Sequence, residues 1–182
     1  MTIDVGTGDG RAVLAVAVRD PHTLAIGMDA SAAALVEASR RAAGPARKGG
    51  LPNAAFVLAA AEAPPCELAG VADLVTVQFP WGSLLRGALG ADERVAAGVA
   101  GLVAPRGSLE LLLAPAPRDG LNGLPTDPQG VIAAAEAAFG AHGLWVVEAR
   151  RATEAQVRGS GSTWARRLGA DRAAMLIRMA RR

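Results

Sequence analysis

The sequence is poor in the residues that build crosslinks and metal sites. Its 182 residues include one cysteine, Cys66, and two histidines, His22 and His142, which lie far apart in the chain. A single cysteine cannot form an internal disulfide, and so small a set of Cys and His cannot build a Cys/His metal cluster. We therefore expect no metal, and we assign structural roles to all three residues.

Long hydrophobic runs are also missing. Apolar residues make up 51% of the chain, yet the unbroken apolar runs fall far short of the roughly 20 residues that cross a bilayer. The N-terminus lacks a basic region followed by a hydrophobic one, which a secretory leader would need. These absences predict a cytoplasmic protein without a membrane partner. We expect a monomer in which residues 1–182 form a single domain.

The net charge is small, and the basic residues are almost all arginine. The chain carries 19 basic and 17 acidic residues, for a net charge of +2, and every basic residue except Lys48 is an arginine. The planar guanidinium donates paired hydrogen bonds to phosphate, so clusters of arginine are compatible with an RNA partner. Solvated surface arginines are the alternative interpretation.

The first ten residues contain the strongest local motif. A short β-type run that includes Asp4 breaks into Gly6, Gly8 and Gly10. Because Arg11 follows the last glycine, the spacing is neither the dinucleotide pattern G-x-G-x-x-G nor a P-loop. An acid at the end of such a strand suits a cationic ligand without phosphate, such as S-adenosylmethionine (SAM). The pattern resembles motif I of the class I methyltransferases, although a plain glycine turn before a helix would look similar.

The following residues extend this motif into a βαβ unit. We predict a helix over 11–19 and a strand over 23–28 that ends at Asp29. A carboxylate at this point can accept hydrogen bonds from both ribose hydroxyls of a nucleoside. Alternatively, Asp29 is the N-cap of a helix over 31–43.

The rest of the chain alternates between strand and helix patterns. Residues 44–53 are rich in Gly, Pro and basic residues and predict an irregular linker. The remaining predicted strands are 54–59, 72–79, 107–113, 144–149 and 173–180, and the remaining helices are 91–103 and 131–141. Six βα units and a terminal strand predict an α/β protein with a doubly wound, mostly parallel, seven-stranded Rossmann-like sheet.

Three further residues are of interest for their position. Glu62 follows the third predicted strand, where the adenine of a nucleoside cofactor would lie in this fold, although a surface-loop acid is an equal alternative. Trp81 follows the fourth strand at the switch point of the sheet, where its flat face could stack on a base. Trp145 lies beside a strand start, and we predict that it is buried in the core.

Four stretches together carry a resemblance to a known family. They are Asp-Val-Gly-Thr-Gly-Asp-Gly (4–10), Lys-Gly-Gly-Leu-Pro-Asn (48–53), Pro-Trp-Gly-Ser-Leu-Leu-Arg-Gly (80–87) and Ser-Thr-Trp-Ala-Arg-Arg-Leu (162–168). They resemble the Kam-type aminoglycoside-resistance methyltransferases, which modify N1 of an adenine in the decoding site of 16S rRNA in the 30S subunit. The resemblance covers nearly the whole chain. It implies the class I methyltransferase fold, SAM as cofactor and the 30S subunit as partner. The alternatives are a methyltransferase of the same fold that acts on another RNA or a small molecule, and a diverged, inactive SAM- or RNA-binding homologue.

The resemblance also implies roles for individual residues. SAM would contact Asp4, Asp29 and Glu62 beside Gly6, Gly8 and Gly10. Trp81 and Trp164 would sandwich the target adenine, with Ser162 nearby. RNA contacts would come from Arg47, Lys48, Arg86, Arg166, Arg167 and Arg172. Family members carry an N-terminal segment ahead of the first strand, whereas three residues precede Asp4 here. We therefore expect either a shortened first strand or a misplaced start codon.

Overall fold

A computed structural model describes residues 1–121, 123–161 and 173–181 of the chain. Within these ranges the strands are β1 (Thr2–Val5), β2 (Ala25–Asp29), β3 (Ala54–Leu58), β4 (Ala72–Gln78), β5 (Val103–Leu113), β6 (Leu144–Arg151) and β7 (Met175–Arg181). The α-helices are α1 (Arg11–Arg19), α2 (Ala32–Ala42), α3 (Gly82–Ala88), α4 (Glu93–Leu102), α5 (Pro128–Gly140) and α6 (Glu154–Gly159). Short 3₁₀ helices span Ala46–Lys48, Cys66–Leu68 and Pro117–Asp119.

The seven strands form one sheet in the order β3-β2-β1-β4-β5-β7-β6. The β1, β2, β3, β4 and β5 pairings are all parallel, whereas β7 pairs antiparallel with both β5 and β6. The predicted doubly wound, mostly parallel sheet is therefore confirmed. Because β1 and β4 are neighbours although β2 and β3 intervene in sequence, the chain reverses its winding direction there, and the carboxyl ends of these strands border a crevice.

The main core lies on one face of the sheet. Apolar residues of the central strands, such as Ile3 and Val75, pack there with α3, α4 and α5, and Phe139 of α5 is fully buried among them. On the other face, α1 and α2 pack over β2 and β3. Strands buried on both faces explain why β4 reads as an almost continuous apolar run.

The structure corrects several predicted elements. The crossover between β3 and β4 contains only the 3₁₀ helix Cys66–Leu68, so the prediction of six complete βα units is wrong at that point. The linker 44–53 is not wholly irregular, because it contains the 3₁₀ helix Ala46–Lys48. Helices α3 and α6 were not predicted. With 7 and 6 residues, they are too short to show a clear helical period.

The prediction that Trp145 is a core residue is also wrong. Its side chain is 52% exposed, whereas its neighbour Leu144 is 1% exposed. Side chains alternate between the two faces of a strand. In β6 the core face therefore belongs to Leu144, and Trp145 points to the opposite face beside Ala180 of β7.

No helix in the described ranges is long and apolar enough to cross a membrane.

Candidate active site

A cavity of about 390 Å³ opens at the carboxyl ends of the central strands. This volume lies within the range of about 300 to 1,000 Å³ typical of ligand pockets. Its walls are formed by residues 4–9 with Ala12, 28–31, 59–62, 78–84 and 160–161. The chain thus returns to this point after β1, β2, β3 and β4, as the crevice of a doubly wound sheet requires.

Asp4 provides a buried carboxylate beside the cavity and is only 8% exposed. Its Oδ1 accepts hydrogen bonds from Thr76 Oγ1 at 2.6 Å and from Gln78 Nε2 at 3.3 Å, both on β4. Burial raises the pKa of this carboxyl group, and the nearby negative charge of Asp29 also raises it, whereas the hydrogen bonds from β4 lower it. The sequence did not single out Thr76 and Gln78. Their signal was two polar residues at alternating positions in the second half of β4, between and after apolar residues.

The three glycines of the β1–α1 loop all adopt positive φ, at 71° for Gly6, 57° for Gly8 and 69° for Gly10. Their surroundings differ. A Cβ atom at Gly10 would overlap the ring of Phe56, whereas a Cβ atom at Gly8 would meet no atom within 4 Å. Of these two glycines, only Gly8 therefore leaves open space for a ligand, and Gly10 makes room for the core.

Asp29 ends β2 and holds the glycine loop. Its Oδ2 accepts the backbone N–H of Gly8 at 2.8 Å, and its Oδ1 accepts that of Ser31 at 2.9 Å. The N-cap of α2 is Ser31, whose hydroxyl accepts from Ala34 N, so the alternative that Asp29 caps this helix is wrong. An ionised carboxylate has about four acceptor sites, which leaves capacity for ligand hydroxyls.

The described lining of the cavity is acidic. It includes Asp4, Asp9, Asp29 and Glu62 and no basic residue. Such a cavity disfavours phosphate groups and favours a ligand with positive charge. In the described part of the chain, no group of three or more His, Cys, Asp or Glu side chains is arranged to hold a metal ion.

Trp81 lies at the rim of the cavity, with 71% of its surface exposed. It follows Phe79, which has a φ of 48° although it is not a glycine, and whose ring is buried. Strained backbone of this kind is often found at functional sites. Phe79 was not among the predicted site residues, because nothing in the sequence indicates a positive φ at a phenylalanine.

Five predicted site residues lie outside the described residues, namely Ser162 and Trp164 of the acceptor site and the RNA-binding Arg166, Arg167 and Arg172. The chain can be followed up to Gly161, which lines the cavity together with Ser160.

The predicted RNA-binding residues that can be placed do not all lie together. Arg86 is exposed on α3, the helix that begins directly after Trp81. Arg47 and Lys48 are exposed in the linker that precedes β3, at the amino edge of the sheet. The structure therefore brings Asp4, Asp29, Glu62 and Trp81 around one cavity but places Arg47 and Lys48 at the opposite edge.

The sheet order with its antiparallel β7, the acidic glycine loop and the acid at the end of β2 define a class I SAM-dependent methyltransferase. Comparison with known families identifies this chain further. The family described as "NpmA: 16S rRNA (adenine(1408)-N(1))-methyltransferase" matches residues 1–182, and the chain belongs to it.

Individual relatives agree with this assignment. A 16S rRNA (adenine(1408)-N(1))-methyltransferase from Streptoalloteichus hindustanus is 34% identical over 178 residues, which cover 94% of this chain and 81% of the relative. The crystal structure of a tryptophan-to-alanine mutant of such an enzyme from Catenulisporales acidiphilia, with cosubstrate SAM, aligns with a TM-score of 0.87 and 32% identity over 99% of this chain and 84% of that one. The aminoglycoside resistance methyltransferase NpmB1 aligns with a TM-score of 0.81 and 39% identity over 100% and 86% of the two chains.

Proposed function

We propose that this protein transfers a methyl group from SAM to N1 of adenine 1408 in 16S rRNA within the assembled 30S subunit, and thereby confers aminoglycoside resistance. The observation that carries the proposal is an acidic cavity at the carboxyl edge of the sheet with an exposed tryptophan, Trp81, on its rim. The cavity suits a cationic nucleoside, and the tryptophan offers a stacking surface for a second base.

The residues around the cavity fit SAM. The open side of Gly8 allows a ligand to approach the loop, and Asp29 beside it has acceptor sites for ribose hydroxyls. Asp4 presents a carboxylate for the ammonium group, and Glu62 lies on the segment after β3 that would border the adenine. When bound, SAM supplies an electrophilic methyl group, which passes to adenine N1 as its carbon–sulfur bond breaks.

The protein's own contribution is to hold the acceptor in line with the methyl group. Adenine N1 has a lone pair at neutral pH, so the reaction needs no general base, and alignment supplies much of the rate enhancement. A base within the RNA must first leave its stack, and stacking on an aromatic side chain restores about 1 to 3 kcal/mol per contact. Trp81 provides one such face, and we assign the second to Trp164, with Ser162 beside it.

RNA binding would use arginine and lysine side chains at several places. We assign it to Arg47, Lys48, Arg86, Arg166, Arg167 and Arg172. We further propose that residues 1–182 act as one domain and as a monomer, in the cytoplasm where ribosomes are found.

The proposal is tested by incubating 30S subunits with the protein and SAM and reading the RNA by primer extension. Methylation at N1 blocks the Watson–Crick edge, so reverse transcriptase should stop one nucleotide before adenine 1408. Trp81→Ala should suppress this stop at least about tenfold, since one stacking contact is lost, whereas Trp81→Phe should retain most of it. Both variants should bind SAM like the wild type, because Trp81 is proposed to hold the acceptor.

Binding of SAM without any stop on well-formed 30S subunits would refute the ribosomal assignment. Methylation of isolated small molecules or of another RNA would then indicate a different acceptor. Equal activity of Trp81→Ala and the wild type would remove Trp81 from the acceptor site while leaving the reaction itself intact.

A further inference from the structure

Helix α6 leads into the last described residues that line the cavity. At its end, Ser160 and Gly161 line the cavity, and a Cβ atom at Gly161 would lie 3.3 Å from Ala12 Cα in α1. The placement of α6 therefore determines where this part of the cavity wall lies.

The apolar side of α6 packs near the segment that carries Trp81. Val157 packs against a buried cluster that contains Phe79, Leu112 and Leu176. Phe79 comes directly before Pro80 and Trp81 in the chain. A shift of α6 across this cluster would thus change the position of Ser160 and Gly161 relative to the segment that carries Trp81.

The polar side of α6 is fixed to the sheet by one side chain. Gln156 Oε1 accepts hydrogen bonds from Arg150 at 2.8 Å and from the backbone N–H of Thr153 at 3.0 Å. The first bond joins the helix to β6, and the second closes the capping box at the start of α6. A buried or half-buried acceptor shared in this way is hard to move without losing both bonds.

Arg150 is itself held by a row of charges across three strands. Its Nε donates to Glu148 at 2.6 Å, and Glu148 also accepts from Arg178 of β7 at 2.8 Å. Arg178 donates in turn to Glu110 of β5 at 2.8 Å. Cross-strand partners of opposite charge stabilise each other, and here they fix the direction of the Arg150 side chain. The guanidinium of Arg150 holds the pKa of Glu148 below its usual range, which keeps the row charged.

We propose that Arg150 and Gln156 form a positioning contact that locks α6 to the sheet and thereby holds Ser160 and Gly161 in the wall of the cavity, near the segment that carries Trp81. The expected effect on methylation rests on the proposed function, but the locking of α6 does not. Arg150 and Gln156 are positioning residues, since neither lines the cavity.

The chain offers matched variants for a test. Arg150→Met and Gln156→Met each remove the contact, whereas Gln156→Glu keeps an oxygen acceptor for both Arg150 and the capping box. Arg158→Met is the control on the same helix. Among the ion pairs of the described residues, Arg158 pairs only with Glu154, which also lies in α6, at 2.8 Å.

The first measurement is hydrogen exchange of the backbone amides of residues 154–161, compared with the global unfolding temperature. Loss of one hydrogen bond to a charged group should speed exchange in this segment by about tenfold or more in Arg150→Met and Gln156→Met. Gln156→Glu and Arg158→Met should stay within about threefold of the wild type. Unchanged protection of this segment in both methionine variants would overturn the proposal.

The second measurement is methylation of 30S subunits at saturating SAM. Arg150→Met and Gln156→Met should each lower kcat by about tenfold with little change in affinity for S-adenosylhomocysteine, and the double variant should be no worse than either single one. Losses that multiply in the double variant would mean that Arg150 acts independently of Gln156, for example on RNA phosphate, and would refute the shared contact. If the wild type does not methylate 30S subunits, the proposed function fails, and the exchange experiment still decides whether the contact locks α6.

Discussion

Asp4 carries its carboxylate into the protein interior, and the chain thereby buries a charge that the unfolded state would leave in water. Since burial raises the pKa of Asp4 above its ordinary 3.8, the folded protein binds this proton more tightly than the unfolded chain does. The charged form therefore destabilises the fold at neutral pH. This penalty shrinks as the pH falls through the raised pKa and disappears below about 3.8, where both states are protonated.

We expect Asp4→Asn to raise the melting temperature of the ligand-free protein at pH 7, because the neutral amide removes the buried charge and its oxygen can still accept from Thr76 and Gln78. The gain should diminish as the pH is lowered toward 4. The same variant should bind SAM about tenfold or more weakly, since a charge-assisted hydrogen bond to the ammonium is lost. Thermal melts at several pH values and isothermal titration check both effects. A lower melting temperature with unchanged affinity would contradict the proposed role.

The β1–α1 loop shows that glycines of one motif can serve different purposes. Gly8 and Gly10 both have positive φ. A residue with a Cβ atom adopts this conformation only at a free-energy cost of about 1 to 2 kcal/mol. At Gly10 a methyl group would also collide with Phe56 and Ala38, and overpacking adds about 1 to 3 kcal/mol. At Gly8 no such neighbour is present.

A matched pair of variants separates the two roles. Gly10→Ala should lower the free energy of unfolding by about 2 to 5 kcal/mol, the sum of strain and overpacking. Gly8→Ala should lower it by only about 1 to 2 kcal/mol but should weaken SAM binding, because its methyl group would occupy space on the ligand side of the loop. Urea unfolding and titration with SAM provide the comparison. Equal losses of stability in the two variants would show that the Phe56 ring moves to accommodate the added methyl group.

At the scale of the whole molecule, the acidic cavity and the basic linker lie at opposite edges of the sheet. Arg47 and Lys48 precede β3, whereas Glu62 follows it, and the five residues of this strand span about 16 Å. A contact between the linker and RNA would therefore involve phosphates some distance from the modified base. Such contacts contribute affinity and orientation but leave the transfer step unchanged.

The double variant Arg47→Ala, Lys48→Ala should bind 30S subunits more weakly and with less dependence on salt. Each lost phosphate contact should reduce the slope of log affinity against log salt by about 0.7 to 0.9. The rate at saturating 30S subunits and the affinity for SAM should match the wild type. Binding measured over a series of salt concentrations tests this expectation, and a slope equal to that of the wild type would exclude these two residues from the RNA interface.

The sequence alone determined the fold class and much of the cavity. Strand and helix patterns are local, since burial on both faces of a strand requires a continuous apolar run, and a glycine loop after a strand shows directly in residue spacing. Asp4, Asp29, Glu62 and Trp81 were predicted for this reason, because each follows or lies in a recognisable strand. They do line one cavity, since parallel strands bring their carboxyl ends to one edge.

Only the tertiary structure decided what depends on distant partners. Asp4 is held by Thr76 and Gln78, which lie 72 and 74 residues away, and α6 is fixed through a row of charges on β5, β7 and β6. The exposure of Trp145 likewise depends on which face of β6 the other elements cover. No local pattern records such pairings, because they are created when the strands are placed side by side, and the free energy of burial then selects which face of each strand becomes the core.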